Sequence, residues 1–308
     1  MIEVEALTKR YGSTTAVDGL AFTAPEGTVT GFLGPNGAGK STTMRMVVGL
    51  ERPTSGTATV DGRRYADLPA PLHAVGTMLD ARSVHPGRTA FRHLLAQART
   101  HGIPRSRVDE VIAMTGLESV AGRRAGTFSL GMGQRLGIAG ALLGDPGTLI
   151  LDEPVNGLDP DGVLWVRRLV RELAAEGRTV LLSSHLMHEL ALCADRVVII
   201  GRGRLLADAT VQEIVDRSAR AGTVRVRTTD PEPLARELIA AGAQVTPQAG
   251  GVLEVRDASV DDVGTAARRC GATVLELGTE AGSLEEAYLQ LTDDAVEYRT
   301  ADTRGGAR

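Results

Sequence analysis

Lysine is nearly missing from this chain of 308 residues: Lys9 and Lys40 are the only two, and every other residue among the 34 Lys+Arg is arginine. Genome composition accounts for the bias. Its consequence is that a lysine in mid-chain is not readily dismissed as filler. Cysteine is as scarce. Cys193 and Cys270 lie far apart and outside any CxxC or Cys/His ligand spacing, which makes both ordinary core or surface residues and fits a reduced compartment. An excess of positive charge is missing too: 34 basic against 38 acidic residues give −4, whereas a dedicated nucleic-acid binder is normally basic. No nucleic-acid partner is expected. Long apolar runs are absent. The longest, Leu136–Leu143, is interrupted by two glycines and falls well short of the roughly 20 residues that cross a bilayer. The opening MIEVEALTKRYG is mixed and acidic, unlike a secretory signal. The expectation is a soluble intracellular protein whose membrane attachment comes through a partner.

Hydrophobic residues make up 43% and charged residues 23%, which is ordinary globular usage, and the length suits about two domains. IEVEAL, TVTGFLG and TATVDG read as strands within residues 1–60. STTMRMVVGL reads as a helix from Ser41, and residues 89–144 read as mainly helical. GTLILDEP is a buried strand running into a turn; helix (161–176), strand (TVLLSSH), helix (LMHELALCA) and strand (RVVIIGRG) follow. Strands alternating with helices imply a mainly parallel α/β sheet. Residues 223–308 change character and read β-α-β-β-α-β, with a hairpin across Ala249-Gly250-Gly251 and a further helix capped at Ser283. That order fits a small split-βαβ, ferredoxin-like domain. The expected organisation is therefore 1–220, with a helical subdomain at about 85–145, then 223–298, then a disordered tail at 299–308.

The sharpest signal is Gly34-Pro35-Asn36-Gly37-Ala38-Gly39-Lys40-Ser41, an ungapped G-x(4)-G-K-[ST] between an apolar strand and a helix. A triphosphate needs several backbone N–H groups aimed at one point, and glycines let the chain turn closely enough to supply them. The helix that follows adds its positive end. Lys40 would place a point charge on the β- and γ-phosphates, and the Ser41 hydroxyl would be a Mg²⁺ ligand. A nucleoside triphosphate with Mg²⁺ is thus the expected ligand. The second signal is the strand Thr148-Leu149-Ile150-Leu151, which ends in Asp152-Glu153-Pro154. Adjacent strand residues face opposite ways, so Asp152 can face the metal while Glu153 positions or deprotonates an attacking water.

With these motifs in this order, residues 1–220 resemble the ATP-binding subunit of ABC transporters: a P-loop α/β fold with a mainly parallel sheet, added antiparallel strands and a helical subdomain. The resemblance implies roles for residues that spacing alone does not assign. Tyr11 in KRYGSTTAVDG corresponds to the aromatic that stacks on adenine, and PTSGTATVDG from Pro53 to the antiparallel segment after the first helix. Thr42 completes the phosphate loop. Asn156-Gly157-Leu158-Asp159-Pro160 matches the loop that joins two subunits, and His185 the histidine on the γ-phosphate. Phe128-Ser129-Leu130-Gly131-Met132-Gly133-Gln134-Arg135 stands where the family commonly has Leu-Ser-Gly-Gly-Gln. Ser129 and Gly131 are kept, while Leu130 replaces a glycine and Met132 the glutamine. A serine, an approachable glycine and a helix start still make an anion site, and Ser129 is locally a helix N-cap. Near residue 80 the family usually has a glutamine; in VGTMLDARSVHPGRTA its place is matched by Asp80, which would keep a metal-touching, coupling role.

This pattern and the C-terminal extension resemble the branch of drug- and antibiotic-resistance exporters, including the daunorubicin/doxorubicin type. The implied protein is an ATPase, cytoplasmic and peripheral on the inner face of the cell membrane, that powers a separate integral-membrane permease. Two copies would pair head to tail, Ser129 and Gly131 of one capping ATP held by the other. The alternatives are a soluble ABC ATPase acting on ribosomes or DNA, and an ATP-regulated binding module. The C-terminal domain carries no catalytic or metal constellation; its pattern suits a dimer clamp, a regulatory ligand domain or a partner dock, of which a dimer-stabilising contact is the favoured role.

Overall fold

Apolar runs in the first two-thirds of the chain are continuous rather than alternating, as befits parallel strands buried on both faces. In a computed structural model, which describes residues 1–80, 84–219, 223–279 and 283–292, these runs are the strands β3 (Val29–Leu33), β6 (Thr148–Leu151) and β7 (Thr179–Ser183), and every residue in them is buried. The chain divides into two units, residues 1–210 grouped with Leu291 and Thr292, and residues 211–290. The expected tail at 299–308 and the expected domain boundary just after residue 220 lie outside the described residues.

In the first unit, β1 (Ile2–Tyr11), β2 (Thr14–Ala24) and β4 (Ser55–Val60) form an antiparallel sheet in the order β2-β1-β4. β5 (Val75–Met78), β6, β7, β3, β8 (Arg196–Gly201) and β9 (Arg204–Thr210) form the main sheet in the order β5-β6-β7-β3-β8-β9. It is parallel from β5 to β8, with β9 antiparallel at the edge. α1 (Lys40–Val47) leaves the loop after β3. Its Met44 and Val47 share one core with Leu7, Leu20 and Phe22 of the small sheet and Phe32, Ile150 and Leu181 of the large one. The rings of Phe22 and Phe32 stack at 5.2 Å between centroids. Each such buried ring is worth roughly 1.5–3 kcal/mol, so the two sheets are tied where the phosphate loop emerges. α2 (Pro71–Ala74) is a single turn leading into β5.

β2 is not among the strands read from the sequence; it carries Asp18-Gly19, a pair with turn chemistry. The strand continues through Gly19, which sits at φ +61°, and absorbs it as register shifts against β1.

α3 (Ala90–Thr100), α4 (Arg105–Met114) and α5 (Leu130–Leu142) make the helical region. Thr89 and Ser129 cap α3 and α5 by accepting from the N–H of Arg92 and Met132, each at 3.2 Å. α6 (Pro160–Ala175) starts from Asp159, which accepts from Gly162 N at 2.9 Å, with Pro160 at the first helical position. Arg135 of α5 donates to Thr115 O at 3.0 Å and lies 4.5 Å from the centre of the Trp165 ring, which links α5 to α4 and α6. α7 (Met187–Ala191) is much shorter than the helix read from LMHELALCA.

The second unit contains α8 (Val211–Ala219), β10 (Val224–Thr228), α9 (Pro231–Ala240), β11 (Gln244–Gln248), β12 (Val252–Arg256), α10 (Val260–Cys270) and β13 (Val274–Thr279). All pairings in its sheet are antiparallel, in the order β11-β12-β10-β13. This is the split-βαβ arrangement. Val224 and Val226 alternate inward with Leu253 and Val255 against Leu234 and Leu238 of α9 and Val263 of α10. Ser259 and Asp262 form a reciprocal capping box at the start of α10. α11 (Leu284–Thr292) starts in the same way from Ser283, whose hydroxyl accepts from Glu286 N at 3.1 Å.

Candidate functional site

Parallel sheets place ligand sites outside the carboxyl ends of their strands, and β3, β6 and β7 end together here. The loop after β3 can turn back on itself only because Gly39 lacks a side chain. It sits at φ +102°, and a Cβ there would meet the Ala16 carbonyl oxygen at 2.6 Å. Ala16, residues 35–42, Asp152 and Glu153 line a cleft of about 280 Å³. The backbone N–H groups of this turn and of the first turn of α1 make it an anion cradle.

Lys40 is almost fully buried beneath the loop. Its Nζ donates to the carbonyls of Gly34 at 2.5 Å and Pro35 at 3.3 Å. Burial lowers its pKa, against which the charges of Glu153 and Asp152 act. An ammonium held in this way is pre-oriented for an incoming anion that would complete its pairing.

Ser41 Oγ donates to Asp152 Oδ2 at 2.7 Å. A hydroxyl and a carboxylate converge, both hard oxygen donors. Among the described residues no group of three or more His, Cys, Asp or Glu could hold a metal. A sparse oxygen set that leaves room for phosphate oxygens and water is what Mg²⁺ takes, so the residues fit this ion better than zinc or calcium.

Glu153 lies on the other side of Asp152. Its Oε2 is 2.7 Å from His185 Nδ1 and accepts the His185 backbone N–H at 3.2 Å. Glu153 itself has φ +51°, a left-handed conformation that costs a non-glycine residue about 1–2 kcal/mol. Two residues that the sequence did not single out for this role hold it there. Ser183, fully buried at the end of β7, donates to Asp152 Oδ1 at 2.5 Å and accepts from Glu153 N at 2.9 Å. Gln134, buried on α5, donates to the Glu153 carbonyl at 3.3 Å. Their signals were faint: a hydroxyl closing the apolar run TVLLS, and one amide inside the apolar stretch of α5.

Lys40, Ser41, Asp152, Glu153 and His185 are thus brought together by direct contacts or a shared cleft. Other sequence-named residues lie apart. Tyr11 ends β1, half exposed, with Lys9 Nζ at 4.9 Å from its ring centre, and is not in the lining of the cleft. Ser129 lines a different cavity, with Pro86, Ala125 and Phe128. Gly131 abuts the Gly157–Leu158 turn, where a Cβ on it would meet the Gly157 carbonyl at 3.0 Å. Asp159 is engaged as a helix cap. Asp80 borders a third groove with His93 and Gln97.

A glycine-rich loop between strand and helix, a lysine beneath it and a hydroxyl–carboxylate pair define a P-loop nucleotide-binding protein. Its family is shown by comparison: residues 17–156 match the ABC transporter family model. The chain is 41% identical over 223 residues to the bacitracin transport ATP-binding protein BcrA of Bacillus licheniformis, covering 71% of this chain and 73% of that one. It is 35% identical to the daunorubicin/doxorubicin resistance ATP-binding protein DrrA of Streptomyces peucetius, over 98% of this chain and 95% of that one. A solved ATP-binding subunit of an ABC transporter superposes with a TM-score of 0.65 at 28% identity, covering 70% of this chain and 92% of the other. The chain belongs to the ABC transporter family, as an ATP-binding subunit that hydrolyses ATP. Residues 222–285 match a domain of unknown function, DUF8746.

Proposed function

We propose that this chain powers efflux of a drug or antibiotic through a separate membrane permease. The observation that carries the ATPase chemistry is the paired contact at the strand ends, Ser41 to Asp152 and Glu153 to His185, each at 2.7 Å, beside the Lys40 loop. The export reading is supported by relatives named for bacitracin transport and for daunorubicin/doxorubicin resistance. Among the described residues no helix is long and apolar enough to cross a membrane, so the conduit is assigned to another polypeptide, with this chain docked at its cytoplasmic side.

In this reading the loop N–H groups and Lys40 bind the β- and γ-phosphates, and Tyr11 stacks on the adenine. Ser41 and Asp152 would hold Mg²⁺, which would neutralise charge on the phosphate oxygens. Asp80, which borders a neighbouring groove, would keep a metal-touching, coupling role toward the same ion. The Glu153 carboxylate accepts a proton from the water that attacks the γ-phosphorus, and His185 fixes that carboxylate and reaches the γ-phosphate. Ser129 lines a cavity distinct from its own chain's phosphate cleft, and Gly131 abuts the Gly157–Leu158 turn outside that cleft, which supports their serving a second copy in a head-to-tail dimer. Asp159 and its loop lie at that junction. ATP then favours the closed dimer because it binds that state better, and hydrolysis removes the preference.

The test is affinity capture of the Glu153→Gln chain with Mg-ATP from mildly solubilised membranes. Co-purification of a polytopic membrane protein is the expected result. Capture of ribosomes or DNA instead would overturn the exporter reading and leave the ATP site standing.

A further inference from the structure

The charge of this protein is unevenly spread. The chain as a whole carries 38 acidic and 34 basic residues, yet there is no Asp or Glu between residues 84 and 108, nor between 119 and 144. The first stretch holds Arg88, Arg92, Arg99, Arg105 and Arg107, and the second Arg123, Arg124 and Arg135. A soluble surface ordinarily intersperses the two signs.

The fold gathers these segments at the start of α3. Ala90 N donates to the Arg123 carbonyl at 3.3 Å, and Ala125 N to the Arg88 carbonyl at 2.8 Å; Arg124 pairs with Thr89 as an isolated antiparallel bridge. Arg92 lies in the first turn of α3, four residues after Arg88. The Arg105 guanidinium is 5.1 Å from the centre of the neighbouring Phe91 ring. Arg88, Arg92, Arg105, Arg123 and Arg124 are all exposed. Arg99, seven residues after Arg92, extends the same exposed stripe of α3. Among the described residues the carboxylate that approaches these arginines does so from the margin: Asp109 lies 3.9 Å from Arg105, with both side chains largely in solvent. Arg107 and Arg135 are engaged inside the fold, by Asp145 and Leu142 O and by Thr115 O respectively. What remains outside is a face of exposed guanidinium groups on an otherwise acidic protein.

We propose that this face of the helical region rests directly on the anionic phosphodiester headgroups of the membrane that holds the permease. The inference relies on the transporter reading to bring the chain to a membrane. The charge pattern then selects the occupant. Guanidinium forks match phosphate oxygens, and a surface of many headgroups suits a spread of cations better than one pocketed ligand does. The negative potential of a cytoplasmic leaflet acts only within a Debye length of about 8–10 Å, so the contact orients the subunit without anchoring it. Orientation toward the bilayer would raise the rate at which the chain finds its permease.

The test is co-sedimentation of the full chain with vesicles of phosphatidylcholine alone or with roughly 30 mol% phosphatidylglycerol, without any permease. Binding is expected to the anionic vesicles only and to vanish at high salt, since each arginine near such a surface is worth about fivefold in partitioning. Arg92→Glu with Arg124→Glu should weaken binding at least about 25-fold on the same scale. Arg92→Gln with Arg124→Gln should give an intermediate loss, and both variants should keep wild-type ATP hydrolysis, which reports that they fold. Equal binding to neutral vesicles, undiminished binding by the variants, or no binding to either vesicle would overturn the proposal. The last result would make an acidic polypeptide the partner of this face. None of these outcomes touches the ATPase or exporter assignment, because the assay uses neither ATP nor permease.

Discussion

Glu153 and His185 meet through one oxygen. Glu153 Oε2 lies 2.7 Å from the ring Nδ1 of His185 and 3.2 Å from its backbone N. A carboxylate fixed from both the ring and the main chain of one residue has a defined direction. Because Glu153 is the proposed base, Glu153→Gln should retain ATP binding while turnover falls by about 10²–10⁴-fold, the range for loss of a positioned base. His185→Ala should lower kcat with little change in KM. A single-turnover assay beside a nucleotide-binding titration checks both, and wild-type turnover in Glu153→Gln would remove the residue from the chemistry.

Ser183 gives a prediction that no motif suggested. Its hydroxyl is the shared partner of Asp152 Oδ1 and Glu153 N. Ser183→Ala strands both groups in a buried place, at a cost of about 1–3 kcal/mol, and releases the backbone that holds Glu153 at positive φ. Thermal unfolding should show the loss of stability. ATPase titrated with Mg²⁺ should show a weaker metal dependence and a lower maximum rate. An unchanged magnesium midpoint would mean that Ser183 supports only the strand end.

The difference between Ser183 and Lys40 shows what a sequence displays. The phosphate loop is legible because its chemistry demands contiguous residues: Gly39 must be glycine where a Cβ would strike the Ala16 carbonyl, and Lys40 must follow it. The Asp152-Glu153 pair is legible because carboxylates ending an apolar strand are conspicuous. Ser183 and Gln134 act on Glu153 from 30 and 19 residues away, through pairings that exist only once β6, β7 and α5 are side by side. β2 was hidden for a related reason. Asp18-Gly19 carries local turn chemistry, and pairing with β1 overrides it. The alternating pattern of the second unit needed no such partner to be read.

Asp145 offers a pH-dependent test of stability. Burial pushes its carboxyl pKa up, but the hydrogen bond and charge of Arg178, with Arg107, outweigh this and hold it below the usual carboxylate value. Arg178 Nη1 lies 2.9 Å and Arg107 Nη2 3.2 Å from the same Oδ1. The folded pKa is depressed, so the contribution is full above the unfolded value near 3.8 and is lost as pH falls through the folded one. Asp145 sits at φ +52°, which asparagine tolerates. Asp145→Asn should therefore lose no more than about 1 kcal/mol at neutral pH, since the carboxylate is largely exposed. Denaturant melts of both proteins should converge only once the pH has fallen below the folded value, which lies under 3.8. A gap that persists in acid would assign the effect to packing.

A composite ATP site makes a demand that a self-contained one does not. If Ser129 and Gly131 complete the cleft of a second copy, the Lys40→Ala chain has a dead loop and a sound signature segment, while the Ser129→Glu chain has the reverse. Each homodimer carries two broken sites. A mixed dimer carries one site broken twice and one made wholly of intact parts. Random pairing of equal amounts then gives about half mixed dimers, and up to about a quarter of wild-type ATPase activity if the sites act independently. Self-contained sites would give no gain, because the Ser129→Glu chain would be as active alone as in the mixture. The measurement is ATP hydrolysis before and after mixing, with differently tagged chains to confirm that mixed dimers form. Mixed dimers no more active than the average of the two parents would refute the exchanged signature segment and return Ser129 to its helix-capping role alone.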